Sequence, residues 1–146
     1  MVVTIRPASV NDADAVGEVH MRAWQSAYRG VIPDDYLNGL QAQDHATRWR
    51  EHLIAPSSDG HLLVVVDDHR VVGFASLGPA LDSDASSGIG QLYAINLDPK
   101  DQFSSHIVRS VVRVFRCLCR GCRRRTELLY VFVLFEQVRH RRLRLL

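Results

Sequence analysis

The sequence predicts an α+β, mixed-sheet domain, and three observations carry that prediction. Short β-rich runs stand at Val2 to Arg6, His61 to Val66, Arg70 to Leu77 and Ile89 to Leu97. Between the first and second of them, apolar residues recur at helical spacing. The resulting order is strand, two or three helices, hairpin, strand, with no internal repeat and no low-complexity tract. At 146 residues the chain is the size of one domain. Its 47% hydrophobic and 23% charged residues are globular values that exclude disorder and fibrous repeats.

Taken in order, Val2 to Arg6 reads as an edge strand stopped by Pro7. Ser9 and Asp12 have the spacing of a capping box, which starts a helix and sets an acid in its first turn. Val16, Val19, Ala23, Trp24 and Ala27 then form one apolar stripe, with Asp14, Glu18, Arg22 and Gln25 on the other side and Gly30 ending the helix. Pro33 suits a first helical turn, so Pro33 to Leu40 reads as a short helix and Asp44 to Ile54 as another. Residues 55–60 read as a loop. Asp67-Asp68-His69 separates the two runs of a hairpin. Gly78 to Gly88 is small and polar, and Asp98-Pro99 stops the strand that ends at Leu97.

Beyond Asp101 the chemistry changes. Residues 1–100 carry seven basic and 13 acidic side chains, a net charge of −6, whereas residues 101–146 carry 11 arginines against three acids, a net of +8. All three cysteines lie in the second part and all twelve alanines in the first. Val108, Val111, Val112, Phe115, Leu118 and Cys119 make a helical stripe, with Arg109, Arg113, Arg116 and Arg120 on another face. Leu128 to Phe135 suits a strand buried on both faces. At eight residues this run, the longest apolar one, falls far short of the roughly 18 that a membrane span takes. The amino terminus lacks the basic start and apolar stretch of a signal peptide, so a cytoplasmic address is expected.

The order of elements, together with Gly90-Gln-Leu-Tyr-Ala-Ile-Asn-Leu-Asp-Pro-Lys-Asp-Gln102, resembles the GNAT family of acetyl-CoA-dependent N-acetyltransferases. Ile5-Arg-Pro-Ala8, the capped first helix, and Ala23-Trp-Gln-Ser-Ala-Tyr-Arg-Gly30 with Pro33 are similar to that family too. The resemblance covers about residues 2–102. It implies a single domain with a mixed, mostly antiparallel sheet flanked by helices, incomplete at its C-terminal end. It also implies acetyl transfer from acetyl-CoA to a primary amine of a small molecule or peptide. By position, the backbone groups of Ile95, Asn96 and Leu97 would pair with the pantetheine arm. A loop of the form Q/R-x-x-G-x-G/A would then offer N–H groups and a helix N-terminus to the pyrophosphate.

At that loop the chain departs from the family. Gln102 fits the first position, but Ser105 and Ile107 stand at the two glycine positions, and Phe103 where many members carry another glycine. Side chains there hold phosphates off the backbone, so impaired activity is expected. The family's later N-x-x-A-x-x-F-Y motif is missing, with Leu143 and Arg144 in place of its Phe and Tyr. Motif and composition break together, so residues 103–146 read as a divergent tail of the kind a frameshifted or decayed gene gives.

Gln91 lies where a number of family members put a glutamate base, and a neutral amide cannot take that role, so no catalytic residue is assigned. Tyr93, two residues on, is expected on the same face, as a core aromatic or a cleft wall. Trp24, Tyr28 and Tyr36 fall on the helices that in the family line the acceptor side of the cleft; an aromatic stripe is otherwise core. Asp34 and Asp35 suit either a cationic amine or the helix dipole. His20 is expected as a packed or half-exposed histidine. Cys117, Cys119 and Cys122 are too few for a closed zinc site, and no metal is expected. The competing reading is a non-catalytic binding module, in which the arginine-rich helix meets nucleic acid or an anionic surface. Few aromatics interleave with those arginines, which weighs against nucleic acid. A sheet edge exposed at the missing strands would favour a homodimer or aggregation.

Overall fold

The computed structural model describes residues 2–55, 60–81, 83, 90–101, 104–107 and 109–111. All of these lie within the compact unit Met1–Val112. Four strands, β1 (Val3–Pro7), β2 (His61–Asp67), β3 (Arg70–Pro79) and β4 (Gly90–Leu97), form an antiparallel sheet in the order β1-β2-β3-β4. Three helices, α1 (Ala13–Ala27), α2 (Asp34–Gly39) and α3 (Ala42–Ile54), connect β1 to β2. Residues 105–107 and 109–111 are helical again after β4. This is the α+β plan expected from the sequence.

Local chemistry accounts for most boundaries. The Ser9–Asp12 cap is present, and it is stronger than the sequence spacing alone implies. The Asp12 carboxylate accepts from the Ser9 N–H at 2.7 Å and hydroxyl at 2.9 Å, and both guanidinium nitrogens of Arg6 donate to it at 2.8 Å. A 3₁₀ turn, Val10–Asp12, precedes α1. The first helix stops at Ala27, with Tyr28 as its cap, and Gly30 at φ 77° turns the chain behind it. The third helix begins at Ala42, two residues before the expected Asp44. The hairpin connection is shorter than expected: Asp67 pairs with Arg70, leaving Asp68 (φ 43°) and His69 (φ 74°) as a two-residue turn. Two positive φ values match the right-handed twist of the flanking strands, which is why the pair is tolerated without glycine.

The core sits between α1, α3 and the sheet, and centres on Val16, Val19, Leu62, Val64, Val71 and Phe74. Gly17 lets the two helices meet. A Cβ on it would lie 2.6 Å from both the Ala42 carbonyl oxygen and the Ala46 nitrogen, so only glycine permits this crossing. Strand β3 is buried at every residue from Val71 to Ser76, as a strand covered on both faces must be.

Candidate functional site

Beyond the close approach at Gly17, α1 and α3 leave a cavity of about 560 Å³ that α2 helps to close. His20 and Trp24, four residues apart on α1, share one face, as do His45, Trp49 and His52 on α3. Tyr36 and Asp35 come from α2, and Asp44 and Arg48 from α3. The rings touch one another: His20 lies 4.3 Å from His45, 5.4 Å from Phe74 and 5.8 Å from Trp24, measured between centroids. The Trp49 indole N–H donates to His20 Nδ1 at 3.1 Å, so the neutral His20 ring carries its proton on Nε2. Burial, with the added charges of His45 and Arg48, pushes His20 down to about 4. Burial and Arg48 lower His45 as well, against the opposing pull of Asp44. Near neutral pH the cavity therefore presents the uncharged imidazoles of His20 and His45 among its aromatic rings.

A second constellation holds the end of β4. Ile95, Asn96 and Leu97 pair with Ala75, Phe74 and Gly73 of β3. Further up, the register slips between Ser76 and Leu77, leaving Tyr93 as the extra residue of a bulge. Asp98, 1% exposed, accepts from Arg22 at 2.8 and 3.0 Å and from the Lys100 N–H at 3.1 Å. Its own N–H donates to the Val72 carbonyl. Arg70 grips Asp101 through two hydrogen bonds of 2.8 and 2.9 Å. The Ser104 hydroxyl meets His106 Nδ1 at 2.7 Å, and His106 Nε2 lies 3.6 Å from Asp67. These contacts fix where the chain turns from β4 into the following helix.

The structure brings only some of the expected residues together. Trp24 and Tyr36 line the cavity, and Tyr28 packs on Trp24 at 4.9 Å between ring centroids. Tyr93 lies elsewhere, over Gly78, with its hydroxyl donating to the Pro79 carbonyl. Gly78 is the cross-strand partner of Gln91, so Tyr93 shares the face of Gln91 despite the bulge, and Gln91 also reaches back, accepting from the Leu81 N–H at 2.8 Å. Ser105 is exposed, whereas the Ile107 side chain is 1% exposed and packed inside. Early in a helix, each still carries an N–H without an intrahelical acceptor. Gln102, Phe103, the three cysteines and all arginines of the tail except Arg109 lie outside the described residues. His45, Trp49 and His52 were not anticipated as a group, though their i, i+4, i+7 spacing on a predicted helix would have revealed it. Among the described residues no group of histidines, cysteines or acids is arranged to hold a metal ion. No helix among them is long and apolar enough to cross a membrane.

No family model matches the chain. The uncharacterized N-acetyltransferase YuaI of Bacillus subtilis is 34% identical over 96 residues, which is 66% of this chain and 53% of that protein. The chain thus spans about half the length of this relative. The crystal structure of PaiA N-acetyltransferase from Thermoplasma acidophilum, in complex with coenzyme A, superposes with a TM-score of 0.65 at 15% identity, covering 94% of this chain and 89% of that one. A GNAT family acetyltransferase from Brucella melitensis, in complex with acetyl-CoA, gives 0.53 at 21% identity, covering 85% and 72%. The structural likenesses establish the fold, and the sequence likeness adds kinship within it. By fold the chain is similar to GNAT-family acetyltransferases, and by sequence it is similar to an N-acetyltransferase.

Proposed function

We propose that the protein transfers an acetyl group from acetyl-CoA to a primary amine. The observation that carries this reading is the 34% identity to an N-acetyltransferase, on a fold shared with proteins crystallised with coenzyme A and acetyl-CoA. In it, the backbones of Ile95, Asn96 and Leu97 hold the pantetheine arm, and Gln102, Ser105 and Ile107 stand at the pyrophosphate. Trp24, Tyr28 and Tyr36 receive the amine, with Tyr93 as a wall of the cleft. The amine lone pair attacks the thioester carbonyl, the C–N bond forms as the C–S bond breaks, the ammonium proton is lost, and the departing thiolate is protonated. Positioning of the two reactants and hydrogen-bond donors aimed at the carbonyl oxygen supply the acceleration. Gln91 supplies no base.

Activity is impaired in this reading, because Ser105 and Ile107 replace the glycines that let phosphates approach the backbone. Residues 103–146 are a divergent part of one domain whose sequence is the product of a shifted or decayed reading frame. Resequencing tests that: an intact glycine loop in another frame supports it, and none in any frame rejects it. The same proposal places the protein in the cytoplasm, as a homodimer acting on a small-molecule or peptide amine.

Thermal melting with acetyl-CoA tests the activity reading. A ligand that binds only the native state stabilises it by about 2.7 kcal/mol at a hundredfold excess over Kd, enough to raise the midpoint by several degrees. Ser105→Gly should enlarge the shift. Ile107→Gly is the wrong variant, since it empties a buried side-chain position and costs stability by itself. No shift in either the parent protein or Ser105→Gly would overturn acetyl-CoA binding.

A further inference from the structure

We infer that the cavity between α1, α2 and α3 selects an arylalkylammonium ion, an amine joined by a short chain to a flat aromatic ring. The inference rests on the acetyl-transfer reading for the amine and goes beyond it in naming the body that carries the amine. Both tryptophans of the chain, Trp24 and Trp49, line this one cavity, with Tyr36 and the His20 and His45 rings beside them. Aromatic walls attract a ring by stacking and a cation by the negative faces of their π-systems. Trp49 has already given its one N–H to His20, so its indole offers ring surface without a free donor.

Charge completes the fit. Asp35 and Asp44 line the cavity, and neither takes part in an ion pair among the described residues. Their neighbours behave differently: Asp34 faces Arg29 at 3.5 Å, and Asp14 binds Arg50 at 2.7 Å. Two carboxylates with no internal cation are available to an ammonium group. Among the described lining residues Arg48 is the one fixed cation, and it disfavours a ligand bearing several positive charges. At about 560 Å³ the space falls within the common size range of small-molecule sites.

Because both tryptophans line the cavity, their emission reports its occupancy directly. Titration of the full chain with 2-phenylethylamine, n-butylamine and spermidine, excited at the indole band, compares a ring amine with an aliphatic one and a polyamine. 2-Phenylethylamine should shift the emission and bind about tenfold more tightly than either of the others, the preference expected when one aromatic ring finds aromatic partners. Tyr36→Ala, at a side chain 57% exposed and so removable without harm to the core, should remove most of that preference. Asp35→Asn should weaken all three amines alike. Equal affinities, or binding that leaves the emission unchanged, would overturn the inference. Acetyl transfer is assayed separately, by release of free thiol. Transfer to butylamine or spermidine with no preference for the ring amine rejects the inference and keeps the acetyl-transfer reading. A ring-selective emission shift without any transfer, and without a melting shift on adding acetyl-CoA to the parent protein or to Ser105→Gly, keeps the inference and rejects that reading.

Discussion

The cavity between α1 and α3 and the far end of β4 are built on opposite physics. Uncharged rings make the first: two indoles and the imidazoles of His20 and His45, held neutral by their own burial. Ion pairs make the second, with Arg22 on Asp98 and Arg70 on Asp101. Helix α1 serves both, sending Trp24 to the cavity and Arg22 to the strand end. A ring-lined cavity whose Asp35 and Asp44 take part in no ion pair among the described residues can take a ligand without breaking contacts of its own. An ionic clamp on a buried carboxylate holds a turn in place, because any displacement leaves a charge without water or partner. The difference separates a region suited to choosing a substrate from one suited to presenting the backbone of β4.

The largest expected effect comes from the core that packs against the rings of the cavity. Phe74 is fully buried and touches His20 and Trp49, so Phe74→Ala should cost about 3–5 kcal/mol in chemical denaturation. It should also change the tryptophan emission. Next, Arg22→Ala strands the Asp98 carboxylate at 1% exposure, and about 3 kcal/mol should be lost, with little change in emission. Its control is Arg50→Ala, which breaks an exposed pair with Asp14 and should cost under about 1 kcal/mol. Equal losses from the two arginine variants would erase the contrast between a clamp and a surface pair.

These variants also mark how far the sequence alone could be read. The strands, the stripe of α1 and the hairpin were visible because each is written in residues two to four apart. Trp24 and Tyr36 were singled out from their helices and do meet at one cavity. The Arg22–Asp98 clamp was not visible, because 76 residues separate its partners and both read as ordinary surface charges. The bulge at Tyr93 was hidden for a different reason. Alternation of period two assumes an unbroken ladder, and one extra residue changes it without any special composition. His45, Trp49 and His52 are legible in principle, because their i, i+4, i+7 spacing sets them on one face of α3.

Acid separates the cavity from the Ser9–Asp12 cap by range, since both lose stability as pH falls. His20 sits near 4 when folded and near 6.5 when unfolded, so between those values the unfolded chain binds the extra proton. Stability is therefore complete above about pH 6.5 and falls as pH drops toward about 4, then levels off for this group. His20→Gln should flatten the midpoint of unfolding across that interval. Arg6 holds the Asp12 carboxyl well below the usual carboxylate range, against its burial and with help from Ser9. Its contribution is thus kept through that interval and lost only in stronger acid. A slope that survives His20→Gln unchanged would show that the ring is not what senses the acid.

The smallest effect lies at the turn between β2 and β3, which supports both regions and belongs to neither. His69 is exposed and sits at φ 74°, a left-handed conformation that costs a residue with a Cβ roughly 1–2 kcal/mol. Glycine there removes that cost and gives back roughly 0.5–1 kcal/mol through the greater freedom of the unfolded chain. His69→Gly should therefore stabilise the protein by about 0.5 kcal/mol net, in a two-residue turn whose geometry already favours glycine at that position. The gain should appear as a small rise in the denaturation midpoint with unchanged slope, unchanged tryptophan emission and unchanged salt dependence. A gain accompanied by a shifted emission would mean that the hairpin pulls on Phe74 and, through it, on the His20 and Trp49 rings. The cavity and the β4 end would then be coupled through β3, and not merely joined by α1.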